Sequence, residues 1–298
     1  MLLKGKMNSY SDKIFDVVNM LLMVVLVVVF AWPLWFVLIS SFSDPFEVTM
    51  GNVLLFPKGL TLDSYKAMMK YSQILTGYAN SLYYTVVGTG INMVLSICCA
   101  YPISRKDFPL RKPLLLMFLF TMYFSGGMIP TYLVVKQVGI LNTRWAMMLP
   151  GAISVYNCLV MRNYFMNSIP GELEEAAVLD GANAAQYLQK VVLPLSKPVL
   201  AVIGLYYAVG HWNAYYAALL YLQDLDLYPL QSILRNIMSA TQMINDPSLS
   251  AEEIDAMVRL EMTMKYSVIV AAAFPMLCLY PFIQKYFVKG VMVGAVKG

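Results

Sequence analysis

The sequence is poor in charge. Only 13% of its 298 residues are Asp, Glu, Lys or Arg, whereas 59% are hydrophobic and the mean hydropathy is +0.64. Soluble domains carry about 25% charged residues, and so little polar surface cannot cover a globule of this size in water. The composition therefore excludes an ordinary soluble protein and favours an integral membrane protein.

Residue types that usually carry catalysis or bind metals are scarce. His211 is the only histidine, and the apolar stretches contain neither a Ser/His/Asp set nor paired carboxylates. The cysteines lie inside apolar stretches without metal-ligand spacing, which indicates buried small side chains; they are Cys98, Cys99, Cys158 and Cys278. No basic run interleaved with aromatic residues suggests a nucleic-acid partner. We expect no catalytic residue and no metal site in this chain.

Six stretches have the roughly 20 mostly apolar residues that a helix needs to cross a bilayer. They are residues 17–40, 78–104, 113–135, 145–165, 195–222 and 266–287. The third is interrupted by Ser125-Gly126-Gly127 and by Pro130. The first is longer than the roughly 7–15 apolar residues of a cleavable signal peptide, and we expect it to be retained. We predict an all-α, polytopic membrane protein with six transmembrane helices, forming a single domain over residues 1–298.

The placement of Lys and Arg predicts the orientation. The short turn at residues 105–112, between the second and third stretches, carries four basic residues. Because basic residues are enriched on the cytoplasmic side, we predict that both termini, including a tail at 288–298, are cytoplasmic. Two long segments, 42–77 and 224–265, then lie outside. Loops this long are usually functional, which favours contact with a partner over a simple lid.

The sequence also predicts a short helix within the second outer segment. Ser250 is followed three residues later by Glu253, which is the spacing of a capping box.

A polar segment at residues 169–190 separates the fourth and fifth stretches and lies in the cytoplasm by the same charge pattern. Pro170 suits the first turn of a helix, and the carboxylates that follow suit its positive end. Gly181 permits a sharp bend. We predict two short helices joined by a turn, a finger along the cytoplasmic surface that is anchored by Pro194.

One face of this finger carries small and apolar residues at helical spacing: Leu173, Ala176, Ala177, Ala184, Tyr187 and Leu188. Such a face suits docking of a helix into a groove of another protein, with the carboxylates at its rim meeting basic residues of that partner. The alternative is an amphipathic helix in the membrane interface, but such helices favour Lys, Arg and bulky aromatic residues.

The finger also resembles a known signature. Glu175-Ala176-Ala177, then Gly181, then Val191-x-Leu193-Pro194 is similar to the EAA motif of ABC-importer permeases: EAA, three residues, G, nine residues, I-x-L-P. The only departure is Val191 in place of Ile. The resemblance implies that the finger is a coupling helix seated in a cleft of a separate nucleotide-binding subunit. It assigns coupling to Glu172, Glu174, Glu175, Ala176, Ala177, Asp180, Gly181, Leu193 and Pro194.

The end of the chain is similar to the tail of carbohydrate-uptake permeases, although Val291-Met292-Val293 replaces the commoner Leu-Thr-Ala. The resemblance implies that the tail reaches the ATP-binding subunits through Lys289, Gly290, Gly294 and Lys297. Asn80-Ser81-Leu82 and Trp212-Asn213 are also familiar in that group. The long acidic outer segment is closer to permeases for complex oligosaccharides of the alginate type. We expect import of oligosaccharides, including fragments of alginate or of other uronate-containing or complex glycans.

Sugar recognition calls for hydroxyl partners and flat faces, which aromatic rings with a polar edge supply. Polar residues inside membrane spans usually face a cavity or a partner helix. The candidates for a substrate pathway are Asn80, Tyr84, Tyr123, Asn157, Tyr207, His211, Trp212, Asn213 and Tyr216. Packing between helices, or anchoring at the membrane interface, is the alternative for each of them.

The chain lacks the Walker A pattern G-x-x-x-x-G-K-S/T, and Gly88-Thr89-Gly90 indicates helix packing instead. It cannot hydrolyse ATP alone and is not expected to be an enzyme. The resemblance implies a second homologous permease, two ATP-binding subunits that hold ATP and Mg, and an extracytoplasmic binding protein, in a bacterial inner membrane.

Three rival functions differ from oligosaccharide import in the sequence features that they require. An ion-coupled secondary sugar transporter would be expected to show intramembrane carboxylates, which these spans almost lack. An ABC permease for a non-sugar solute would carry the same finger. A membrane scaffold without transport would leave the finger unexplained.

Overall fold

The computed structural model describes residues 10–239, 252, 261–279 and 284. Every regular element among these residues is a helix, so the all-α class is confirmed for this part of the chain. The chain forms two compact units, one of Met1–Lys70 with Ile237–Ala271 and the other of Tyr71–Asn236 with Ala272–Gly298. The predicted helix near Ser250 falls, apart from Glu252, outside the described residues, and so does the tail 288–298.

Among its described residues, the first unit contains three complete helices and part of a fourth: α1 (Tyr10–Ser41), α2 (Pro45–Thr49), α3 (Asp63–Lys70) and the beginning of α14 (Glu261–Leu279). α1 is strongly apolar and exposes large hydrophobic side chains on all sides, as expected for a helix in lipid. Asp44 caps α2 by accepting a hydrogen bond from the N–H of Phe46 at 2.8 Å. The Tyr65 hydroxyl on α3 donates to Ser41 Oγ at 2.9 Å, which ties the segment after α1 back to its end.

The second unit is built around a long central helix, α4. Its helices are α4 (Ser72–Ser104), α5 (Arg111–Tyr123), α6 (Met128–Gln137), α7 (Val155–Asn167), α8 (Glu172–Leu179), α9 (Ala184–Tyr187), α10 (Leu193–Leu195), α11 (Lys197–Trp212), α12 (Tyr216–Tyr221) and α13 (Leu230–Met238). α4 packs chiefly against α11 and α7. Their shared core includes Ala100, Met161 and Ile203, all fully buried.

In the part of the chain that the structure describes, three helices are long and apolar enough to cross a membrane: Asp12–Ser41, Ser72–Ser104 and Glu261–Leu279. The number rises to five if two bent pairs each count as one span. One pair is α5 with α6, bent by 116° at the interruption that the sequence shows, and the other is Ala184–Leu195 with Lys197–Trp212, bent by 83°. The predicted count of six is not confirmed in the described residues.

Two predicted spans differ from the structure. In the stretch 145–165, a 3₁₀ turn (Arg144–Met147) and a loop precede α7, whose 13 residues are fewer than the roughly 20 needed to cross a bilayer. Pro150 and Gly151, which has a φ of +73°, interrupt the helix there. The stretch 195–222 likewise breaks at residues 213–215 into α11 and α12.

Candidate functional site

The finger has the two short helices and the turn that its sequence predicts. α8 begins with Glu172, Glu174 and Glu175 in its first turn, where the positive end of the helix favours carboxylates. Gly181 follows α8 with a φ of +72°, a left-handed conformation that other L-residues rarely adopt. α9 then starts from a capping box between Asn183 and Gln186, with both hydrogen bonds at 2.9 Å.

The end of the motif forms an irregular helical joint. Residues Leu188–Val192 adopt a π-helical turn directly before Leu193 and Pro194. Proline lacks a backbone N–H and its ring crowds the preceding turn, which accounts for a widened helix at this point. Val192 is buried in the core, so the joint is fixed to the helices α4, α7 and α11.

The finger turns part of its small and apolar face toward its own chain. Tyr187 is only 6% exposed, and Ala177 and Leu188 pack against the core that it joins. Val178 and Leu179, at the tip beside Gly181, are 64% and 88% exposed. The finger therefore presents its tip outward together with half of the predicted face, namely Leu173, Ala176 and Ala184, which are also exposed.

An arginine at the end of α4 joins α4 to the finger. Arg105 Nη2 lies 2.9 Å from Glu174 Oε1 on α8, and its Nε and Nη2 donate to the two carboxylate oxygens of Asp107 at 3.0 Å each. The hydrogen bonds from Arg105 hold the pKa of Asp107 below its usual 3.8. One turn earlier on α4, the Tyr101 hydroxyl donates to the carbonyl of Ala184 in α9 at 3.1 Å.

A cleft of about 670 Å³ separates the finger from the neighbouring ends of α4 and α7. Its walls are mixed: Phe165, Met166 and Ile169 are apolar, whereas Arg105 and Glu174 are charged. Sequence reasoning treated Arg105 only as a marker of topology and did not assign it to the finger. The available signal was a basic residue at the end of an apolar stretch with Asp107 two residues later.

Several candidate pathway residues are buried and hydrogen-bonded within the chain. Asn80 Nδ2 donates to the carbonyls of Asp226 and Tyr228, at 2.7 and 3.2 Å, and the Tyr84 hydroxyl donates to the carbonyl of Leu227 at 2.8 Å. These bonds join α4 to the loop before α13. Their polar groups stabilise this packing, which is the alternative that the sequence left open.

Other candidate pathway residues, deeper in the second unit, are also hydrogen-bonded within the chain. Tyr207 lies 2.7 Å from Ser96 Oγ through its hydroxyl, and the same hydroxyl accepts from the N–H of Ser154 at 3.1 Å. Trp212 donates its indole N–H to the carbonyl of Ala272 at 2.9 Å. The remaining buried or half-buried candidates are Asn157 and His211.

Three candidates are exposed, and they lie at two breaks between helices. Tyr123, 76% exposed, ends α5 before the bend, while Asn213 and Tyr216 flank the break between α11 and α12. The Tyr216 hydroxyl lies 3.0 Å from the sulfur of Met128, the first residue of α6, so the two breaks meet. Whether any candidate touches substrate stays a prediction.

Comparison with known proteins decides the family. The family model described as "Binding-protein-dependent transport system inner membrane component" matches residues 2–293. The chain belongs to this family. The resemblance that the EAA-like motif indicated is thereby confirmed, and the chain is an inner-membrane transport permease.

Full-length relatives of this permease are known. It is 42% identical over 291 residues to the Polygalacturonan/rhamnogalacturonan transport system permease protein YtcP of Bacillus subtilis, covering 97% of this chain and 100% of the relative. It is 38% identical over 291 residues to Protein LplC of the same organism, covering 98% and 97%.

A solved structure has the same fold. It belongs to a bacterial ABC transporter involved in the import of the acidic polysaccharide alginate. The TM-score is 0.85 at 33% identity, covering 95% of this chain and 100% of the other.

Proposed function

We propose that this chain is one permease subunit of an ATP-binding-cassette importer for oligosaccharides, and that its substrates are fragments of acidic, uronate-containing polysaccharides. The observation that carries the proposal is the full-length match to the alginate importer, in both fold and sequence. The permease with 42% identity is named for polygalacturonan and rhamnogalacturonan, whose galacturonate units are also acidic. Two relatives over the whole chain thus point to polymers that bear carboxylates.

The finger is the part through which a separate ATPase would move the spans. Its tip, with Val178 and Leu179 exposed, offers an apolar contact of the kind that fits a groove on another protein. Glu172 and Glu175, in the first turn of α8, and Asp180, beside the tip, are also exposed. Packed interfaces rearrange in discrete steps, so a finger held in such a groove can transmit a change of nucleotide state.

The pathway is best supported at the two helix breaks. A non-helical backbone is tolerated at membrane depth only where it is buried in protein or lines a water-filled cavity. The breaks at 124–127 and 213–215 bring exposed Tyr123, Asn213 and Tyr216 to one region. Aromatic rings and an amide at this place suit the ring faces and hydroxyl groups of a sugar.

Arg144 supports an acidic substrate. It is exposed, and in the orientation predicted from the basic residues it lies outside. Its guanidinium stacks over Tyr83, 4.9 Å from the ring centroid, and Nη2 donates to Asn80 Oδ1 at 3.4 Å. In the described part of the chain no carboxylate pairs with it. An oriented guanidinium without a carboxylate partner is suited to a uronate carboxylate.

The assembly follows from the same proposal. A second homologous permease would enclose the substrate together with this one, two ATP-binding subunits would supply the energy, and an extracytoplasmic protein would deliver the sugar. Both termini would lie in the cytoplasm, on the side of the finger. The chain itself would catalyse no reaction.

Uptake by the reconstituted complex tests the substrate class. We expect ATP-dependent, vanadate-sensitive import of oligogalacturonates into proteoliposomes, and weaker import of neutral galacto-oligosaccharides of equal length. Arg144→Gln should lower oligogalacturonate import about tenfold or more and leave ATP hydrolysis intact, since a charge-assisted hydrogen bond contributes about 1.5–3 kcal/mol and about 1.4 kcal/mol is a factor of ten. Lys136→Gln, at an exposed basic residue on α6, is the matched control.

Import of neutral sugars alone, or uptake driven by an ion gradient without ATP, would contradict the proposal. Equal import of both sugar classes would retain the importer and reject the acidic specificity.

A further inference from the structure

The attachment of α8 to the rest of the second unit is unusually thin. No residue of α8 is buried, and only Ala177 packs in part against the core. α9, in contrast, is fixed by buried Tyr187 and by the hydrogen bond from Tyr101 to Ala184. The first helix of the finger therefore depends on other contacts to follow the movements of the bundle.

The Arg105–Glu174 ion pair is the direct polar contact between α8 and α4. Its atoms are 2.9 Å apart, and the side chains are 17% and 40% exposed. Arg105 and Glu174 line both the large cleft and a second void of about 40 Å³. With empty space on either side, the ion pair acts as a bridge between α8 and α4 in place of continuous packing.

Contacts with Asp107 and Tyr101 orient the side chain of Arg105. Its forked contact with Asp107 fixes the guanidinium plane at the last turn of α4, and Nη1 lies 3.4 Å from the Tyr101 hydroxyl. A guanidinium can hold two carboxylates at defined angles, whereas the ammonium of lysine is a single point of charge. The side chain thus reaches from the end of α4 to α8.

The turn at Gly181 gives the Arg105–Glu174 ion pair its importance. Gly181, with a φ of +72°, lies two residues after the end of α8 and separates it from the fixed helix α9. A load applied at the exposed tip can rotate α8 about this turn without moving α4, unless α8 is connected to α4 elsewhere. The Arg105–Glu174 ion pair supplies that connection.

We propose that Arg105 is a positioning residue that makes α8 and α4 move together, and that Glu174 serves this contact within the chain and not a contact with the ATPase. The inference rests on the proposed function, because it assumes that the finger receives the movement. It differs from the sequence interpretation, in which the carboxylates at the rim of the finger meet basic residues of the partner and Glu174 is assigned to coupling with the ATPase.

The test is the number of oligogalacturonate molecules imported per ATP hydrolysed, measured with the whole complex in proteoliposomes. Arg105→Gln should lower this ratio at least about fivefold while the complex still assembles and hydrolyses ATP, since coupling energies between sites usually correspond to 5–150-fold effects. Arg105→Lys should give an intermediate ratio. Lys106→Gln, which removes the adjacent exposed charge, should match the parent complex.

The double variant separates the two roles of Glu174. If Glu174 acts on Arg105, Arg105→Gln with Glu174→Gln loses no more coupling than the worse single variant, because both remove one contact. Effects that multiply would overturn the inference and place Glu174 on the partner. Should Arg105→Gln fail to assemble, Glu174→Gln, at a half-buried position, carries the same test: a ratio equal to that of the parent would overturn the inference.

Failure of the proposed function is distinguishable. A parent complex without ATP-dependent uptake would reject the importer itself. If the parent complex couples ATP hydrolysis to uptake and the Arg105→Gln variant imports as many molecules per ATP as the parent, only the role of Arg105 is rejected.

Discussion

Close packing of α4 against α11 depends on Gly88, and adding one methyl group there should destabilise the protein. A Cβ at Gly88 would lie 2.6 Å from both Cε1 and Nε2 of His211. Ordinary contact begins near 3.4 Å, so the imidazole would have to retreat by about 0.8 Å. Nε2 is enclosed without a hydrogen-bond partner in the described residues, which leaves the ring no polar contact to guide such a shift.

Gly90 provides the matched control on the same helix. A Cβ at Gly90 meets nothing within 4 Å. Both Gly88→Ala and Gly90→Ala gain up to ~1 kcal/mol from helix propensity, and this gain cancels in their difference. What remains is the overpacking at Gly88, ~1–3 kcal/mol. At ~2–4 °C per kcal/mol, Gly88→Ala should melt about 2–12 °C below Gly90→Ala.

The assay is thermal unfolding of the purified protein in detergent, followed by tryptophan fluorescence. Gly88→Ala combined with His211→Ala should recover part of the loss, because the clashing ring is absent. Two glycine variants with equal melting temperatures, or strictly additive effects of Gly88→Ala and His211→Ala, would refute the packing argument.

Two further predictions concern the turn of the finger and the contact between Arg105 and Asp107 at the end of α4. Gly181→Val should lower the number of molecules imported per ATP hydrolysed, because the φ of +72° is strained for a β-branched residue. Gly181→Asn should be better tolerated, since asparagine adopts this conformation more readily and a Cβ there meets no atom within 4 Å. Equal ratios for the two variants would argue against a requirement for the left-handed conformation. Contact with Arg105 lowers the pKa of Asp107 in the folded protein. The stabilisation that this contact provides is therefore present above the usual pKa of 3.8 and is lost as the pH falls through the lower pKa of the folded state. Coupling should thus be constant from pH 8 to about 5, and a decline centred near pH 6 would point to other groups.

Local sequence signals predicted those parts of the molecule that local chemistry determines. The glutamates of α8, the left-handed Gly181 and Pro194 produce the finger within about 25 neighbouring residues, and no distant contact is needed to specify them. The interruption noted at Ser125-Gly126-Gly127 lies where α5 and α6 meet at a bend, although the sequence was interpreted as one span there. The length of the apolar stretch was misleading for α7, because the apolar composition of 145–165 hides the break at Gly151.

Local sequence signals could not predict contacts between residues that are far apart along the chain. Glu174 lies 69 positions after Arg105, and Asn80 bonds to carbonyls 146 and 148 positions away. Pairings of this kind follow from how the helices pack and leave no pattern in a single sequence. The motif therefore identified the finger, but not the arginine that joins α8 to α4.

The polar residues of the spans show why chemistry alone could not separate pathway from packing. An unpaired polar group costs several kcal/mol in a medium without water, so a span tolerates it only beside a partner or an aqueous cavity. Asn80, Tyr84 and Tyr207 have partners within the chain, and moving them to contact a sugar would require breaking bonds that hold α4 in place. Tyr123 and Tyr216 stay exposed at the helix breaks. In a transport cycle, exposed groups of this kind can exchange water for sugar at little cost, which makes the breaks, and not the polar core of α4, the place where substrate contacts are expected.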